Sequence, residues 1–171
     1  VLSRNGVQGV STFYGYYMLE ALAKAGDLQR GIDTVRDYWG AMLDMGATSF
    51  WEDFNVAWTN QAFRIDELPV PGKKDIHGDY GEFCYKGFRH SLCHGWSSGP
   101  APWLIAHVLG IQPVEVGCKT VRVKPYLGGL AWAEGAFPTP LGVIKVKHTR
   151  QADGSVKSEI QAPDGVRIVR E

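Results

Sequence analysis

The 171-residue chain is 44% hydrophobic and 12% aromatic, enough apolar material for a packed core and against a disordered one. Its 18 Lys and Arg balance 18 Asp and Glu, and no run of like charge occurs. That excludes an electrostatic footprint for nucleic acid or an anionic membrane and favours a small neutral ligand. Uncharged stretches such as Leu92 to Ala106 are too broken by Gly, Pro, Ser and His to span a bilayer.

The opening Val1-Leu2-Ser3-Arg4 has neither an initiator Met nor the order of a signal peptide, so a fragment of a longer protein is expected. Ser11 and Thr12 are placed to cap a helix running through Phe13, Tyr16, Tyr17, Leu19, Leu22 and Ala23 to Gly26. Asp27 caps a second helix in which Leu28, Ile32, Val35, Trp39 and Met42 recur at steps of three and four, and Gly46 stops it. With only Gly26 and Asp27 between them, the two helices are expected to form an antiparallel hairpin. Residues 53 to 90 lack periodicity but are dense in aromatics, which predicts a long, packed loop. Ser97 or Ser98 is positioned to cap a third helix with Pro100 in its first turn, ending at Gly110.

From Cys118 onward the pattern changes to short alternating runs at Val121 and Val123, Val143 to Val146, Val156 to Ile160 and Val166 to Val169. Asp153-Gly154 and Asp164-Gly165 read as hairpin turns in an antiparallel sheet. The predicted boundary separates a helical part, 1–114, from a β part, 115–171. The first helix is aromatic or apolar around most of its circumference, so further helices are expected to pack on it from upstream.

Two segments carry the chemistry. In Gly46-Ala47-Thr48-Ser49-Phe50-Trp51-Glu52-Asp53-Phe54, an acidic pair adjoins aromatic rings, which offers a carboxylate for proton transfer and flat apolar faces for a sugar ring. In His90-Ser91-Leu92-Cys93-His94-Gly95-Trp96-Ser97-Ser98-Gly99-Pro100, two imidazoles precede a helix start. Glu52 is the candidate catalytic group, with Trp51, His90, His94 and Trp96 as candidate substrate contacts. Each has a plainer reading: a surface carboxylate, core aromatics and satisfied histidines. Ser97 and Ser98 fit caps better than nucleophiles, since no Ser-His-acid order accompanies them. The alternation Asp75-His77-Asp79 has no further spaced ligands, and the three cysteines lack paired zinc spacing, so no metal or other cofactor is expected.

In their order, these segments resemble the C-terminal part of glycoside hydrolase family 78 α-L-rhamnosidases. The resemblance rests on Ser11-Thr12-Phe13-Tyr14, Gly46 to Glu52, Ser91 to Pro100, Leu109-Gly110-Ile111-Gln112-Pro113 and Gly135 to Gly142. It implies an α+β chain: the last helices of an (α/α)6 toroid, then a small antiparallel β-sandwich. It also implies an inverting glycosidase without a cofactor, whose partners are a rhamnose-containing carbohydrate and the remaining N-terminal part of the protein, with neither nucleic acid nor membrane. Glu52 then matches the general base and His94 a histidine that contacts rhamnose, while the general acid lies upstream, leaving this chain inactive alone. The chain departs from the family pattern at Ser49 and Asp53 and in a longer interval from Glu52 to His94. The alternative reading is a non-catalytic carbohydrate-binding or structural module.

Overall fold

Helix α1 spans Tyr14–Lys24 in a computed structural model that describes residues 6–76 and 91–170. Its buried stripe is Gly15, Leu19 and Leu22, spaced four and three apart so that one face turns inward. The Ser11 hydroxyl caps the helix by accepting from the Tyr14 N–H at 3.1 Å. Thr12 does not share that role; its hydroxyl donates to the carbonyl of Glu52. At the other end the N–H groups of Gly26 and Asp27 reach back to the Ala23 and Leu22 carbonyls, and Asp27 caps the next helix by accepting from Arg30.

The second helical run is α2 (Leu28–Thr34), a π-helical turn (Val35–Gly40) and α3 (Ala41–Asp44). Ile32, Trp39 and Met42 of the predicted stripe are buried, and Tyr38 joins them. The widened turn shifts the helical face by one residue, so the adjacent Tyr38 and Trp39 both point inward. Gly15 makes room for the larger of the two: a Cβ there would lie 2.6 Å from Trp39 Cη2. Gly46 ends the run in the left-handed region at φ +91°, with the Gly46 and Ala47 N–H groups donating to Leu43 and Met42. Beyond it, Phe54, Trp58, Phe63 and Ile76 are buried around the one-turn helix α4 (Trp58–Gln61), as the aromatic density implies.

The chain forms two compact units, one ending at Pro100 and the other beginning at Ala101. Near the junction, Ser97 and Ser98 donate to the His94 and Gly95 carbonyls instead of capping a helix through their side chains. Short helix α5 (Pro100–Trp103) continues as a π-helical turn (Leu104–Val108) and stops at Gly110. At Gly110 φ is +70° and a Cβ would lie 1.9 Å from the Lys124 carbonyl oxygen, so no larger residue fits.

Six strands follow: β1 (Ile111–Pro113), β2 (Thr120–Val123), β3 (Trp132–Thr139), β4 (Gly142–Arg150), β5 (Val156–Gln161) and β6 (Arg167–Arg170). They make two three-stranded sheets, ordered β1-β2-β6 and β3-β4-β5. Asp153-Gly154 turns the β4–β5 hairpin as expected. Asp164-Gly165 does not make a hairpin; it passes the chain to the other sheet, where β6 pairs parallel with β2 and every other pairing is antiparallel. Ile111, Val121 and Val123 of one sheet pack with Ile144 and Val146 of the other, while the intervening residues of β4 face out. The fully buried His148 crosses this core, with Nε2 donating to the Leu109 carbonyl at 3.1 Å and Nδ1 accepting from Ser158 Oγ at 2.8 Å. The described residues are therefore α+β, helices first and a largely antiparallel pair of sheets second.

Candidate functional site

The helix end at Gly46 and the segment before α5 run side by side in the first unit. The His94 N–H donates to the Phe50 carbonyl at 2.7 Å, the Glu52 N–H donates to the Ser91 carbonyl at 2.8 Å, and Ser49 Oγ donates to the Leu92 carbonyl. This short ladder aligns Glu52 with His94 across 42 residues of sequence. One carboxylate oxygen of Glu52, Oε2, accepts the Ser91 N–H at 2.8 Å and lies 3.9 Å from His94 Nδ1. The Glu52 side chain is 8% exposed and that of His94 is 32% exposed. A buried carboxylate thus faces a half-buried imidazole at a distance beyond a direct hydrogen bond.

Trp96 covers the imidazole, with ring centroids 4.4 Å apart at a 52° tilt, and its Nε1 donates to the Glu52 carbonyl at 2.8 Å. Phe13 lies 5.8 Å from Trp96, and Phe13, Tyr14 and Tyr17 are exposed at the start of α1. Open aromatic faces therefore lie on one side of the Glu52–His94 pair, the kind of surface on which sugar C–H groups stack. Trp51 occupies a different place. It is fully buried and edge-on to Phe54 at 5.8 Å, and its backbone N–H donates to the Met42 sulfur at 3.4 Å, so its ring has no face open to a ligand. The same aromatic-acid dipeptide thus splits into a buried core ring and a carboxylate that faces His94. His90 lies outside the described residues, as do His77 and Asp79; among the described residues no cluster of His, Cys, Asp or Glu is arranged to hold a metal.

The π-helical turn buttresses both segments. Tyr38 donates its hydroxyl to the Phe54 carbonyl at 2.7 Å, and Trp39 Nε1 donates to the Ser97 carbonyl at 2.9 Å. Burial raises the Tyr38 phenol well above its ordinary range, with the charge of Asp53 adding to the shift, so the hydroxyl remains a donor at any physiological pH. Asp53 accepts the Phe54 N–H at 2.9 Å. Thr12, Ser91, Tyr38 and Trp39 were not among the candidates drawn from the sequence. Their partners are 16 to 58 residues away, and no local spacing marks them.

Residues 110–169 match the family described as the bacterial alpha-L-rhamnosidase C-terminal domain. The chain is 27% identical over 117 residues to an alpha-L-rhamnosidase of Alteromonas sp. (strain LOR), covering 68% of this chain and 10% of that protein. It superposes on the family 78 rhamnosidase of Bacillus sp. GL1 with a TM-score of 0.70 at 29% identity, over 94% of this chain and 15% of that one. It also matches the fold of a Streptomyces avermitilis alpha-L-rhamnosidase solved with L-rhamnose, with a TM-score of 0.65 at 19% identity, over 90% of this chain and 13% of that one. Residues 110–169 thus match the α-L-rhamnosidase C-terminal domain, and the chain as a whole is similar to a C-terminal portion of much longer α-L-rhamnosidase chains, spanning only 10–15% of their length.

Proposed function

We propose that this chain supplies the general-base half of an inverting α-L-rhamnosidase site. The carrying observation is the Glu52–His94 pair: a buried carboxylate, fixed through one oxygen by a backbone N–H and set 3.9 Å from an imidazole. A single oxygen at about 2.8 Å from each group spans that distance, which suits a sugar hydroxyl or an attacking water. In this reading Glu52 takes a proton from the water as its oxygen bonds to the anomeric carbon. A carboxylic acid on the upstream part of the protein protonates the departing glycosidic oxygen. The C–O bond breaks with inversion, giving free rhamnose and the alcohol of the aglycone. An inverting pair stands roughly 6.5–9.5 Å apart to admit that water, so acid and base are expected on different loops.

His94 and Trp96, with His90 as a further contact, bind the sugar, while the helical part (1–114) closes the (α/α)6 toroid and the β part (115–171) forms the appended sandwich. The substrate is a terminal α-L-rhamnosyl unit of a glycan or glycoside. Hydrolysis of an aryl α-L-rhamnoside by a full-length rhamnosidase carrying this segment tests the assignment. Glu52→Gln is expected to lower kcat by about 10²–10⁴ while sugar binding persists. An unchanged rate would remove Glu52 from the chemistry and favour a non-catalytic, carbohydrate-binding or supporting role for the segment.

A further inference from the structure

The backbone of Glu52 is held more tightly than a loop residue requires. Its N–H donates to the Ser91 carbonyl at 2.8 Å, and its carbonyl accepts two donors from different elements, the Thr12 hydroxyl ahead of α1 and the Trp96 indole N–H at 2.8 Å. Thr12 is 3% exposed and lies 40 residues from its acceptor. Its neighbour Ser11 already caps α1, so the Thr12 hydroxyl is not needed there. Glu52 Oε2 meanwhile accepts the Ser91 N–H at 2.8 Å, which ties the carboxylate to the same strand that receives its backbone.

On the reading of Glu52 as the base, we infer that Thr12 is a positioning residue that, together with the indole N–H of the sugar-facing Trp96, fixes the Glu52 carboxylate by clamping its own carbonyl oxygen from two sides. Thr12 is too buried to touch a substrate, so any effect it has on turnover passes through Glu52. A base must be held within a fraction of an ångström of the water it deprotonates, and a displacement of about 1 Å costs roughly 10² in rate. A carbonyl with two donors moves less than a carbonyl with one, and the carboxylate three bonds beyond the Cα follows it. If the clamp loosens, Oε2 also loses part of its hold on the Ser91 N–H, and a carboxylate deprived of a donor titrates higher.

The test uses Thr12→Val, Thr12→Ser and Trp96→Phe in a full-length rhamnosidase carrying this segment, with an aryl α-L-rhamnoside as substrate. Val keeps the shape of Thr without the hydroxyl, Ser keeps the hydroxyl, and Phe keeps a ring without the N–H. Thr12→Val is expected to lower kcat about tenfold or more with KM within about twofold, and to move the acidic limb of the kcat profile to higher pH. Thr12→Ser is expected to restore both. Trp96→Phe, which keeps a ring facing the sugar and removes only the N–H, is expected to give the same limb shift and carries the test if Thr12→Val fails to fold. A kcat and pH profile unchanged in Thr12→Val, or lost equally in Thr12→Ser, would overturn the positioning role. A fully active Glu52→Gln would overturn the base and the clamp together, whereas an inactive Glu52→Gln beside a fully active Thr12→Val would overturn the clamp alone.

Discussion

At the scale of single residues, two buried polar side chains show how environment decides role. Glu52 is nearly as buried as the core around it, yet one of its oxygens meets a backbone donor and then an imidazole. That arrangement orients the carboxylate through a backbone donor and sets it beside the imidazole. His148 is the opposite case: it is fully buried, and both ring nitrogens are satisfied as the neutral tautomer. Burial lowers its pKa, and the hydrogen bond to the Leu109 carbonyl only partly opposes that shift. The unfolded chain, with an imidazole titrating near about 6.5, therefore binds a proton that the folded chain refuses. The resulting stability is fully present above that value and is lost as pH falls through it toward the lower folded pKa. Asp153 and Glu159 are held below the usual carboxylate range, by Ser155 and Lys157 respectively, so their own titration falls below this window. The urea midpoint of this chain is expected to drop from pH 7.5 to pH 5.5, and the slope is expected to flatten in His148→Gln. Parallel pH profiles for the two proteins would show that His148 is not the group responsible.

At the scale of elements, the close approaches set by glycine are the most exposed to test. The Gly110 Cα lies against the Lys124 carbonyl, where a Cβ would sit 1.9 Å from the oxygen, and that oxygen belongs to backbone that cannot swing aside. Gly110→Ala is therefore expected to cost about 3 kcal/mol or more in urea unfolding of the second unit. A loss under about 1 kcal/mol would mean that the turn after the π-helical segment adapts freely. Gly15→Ala meets the tip of the Trp39 ring at 2.6 Å, and a ring can shift. A smaller stability loss, about 1–3 kcal/mol, is expected, together with weaker activity, because Trp39 also holds the Ser97 carbonyl beside the site.

Much of this level was legible in the sequence. The three-and-four spacing from Leu28 to Met42 found the second helical run, Gly26 marked the end of the helix before it and Gly46 its own end, and Asp153-Gly154 found a hairpin. The misreadings share a cause. Thr12 resembles a helix cap and Asp164-Gly165 resembles a hairpin turn, because local chemistry permits each role; for Trp51 the sequence left core packing and a sugar-facing wall equally open. What overrides it is a partner distant in sequence: the Glu52 carbonyl for Thr12, strand β2 for β6, and the packing of Phe54 and Met42 for Trp51. The π-helical turn that brings both Tyr38 and Trp39 inward leaves no mark in a pattern of period 3.6.

At the scale of the whole molecule, the chain is a helical unit bearing Glu52 and His94 and a second unit with its own β core, and it spans only 15% of the length of the similar Bacillus rhamnosidase. That proportion frames the proposed chemistry. On the proposed reading the segment supplies the base, beside open aromatic faces, while an inverting reaction also needs an acid on the other side of the sugar. The segment alone is accordingly expected to release no aryl group from an α-L-rhamnoside under conditions in which a full-length rhamnosidase turns over. Turnover by the segment alone would place the acid among its own carboxylates. The most direct test of the central claim is kcat for an aryl α-L-rhamnoside in full-length enzyme with and without Glu52→Gln, alongside a rhamnose-binding measurement on both. A fall of about 10²–10⁴ with binding retained is the expected result, whereas a rate within about tenfold of the parent would contradict Glu52 as the general base.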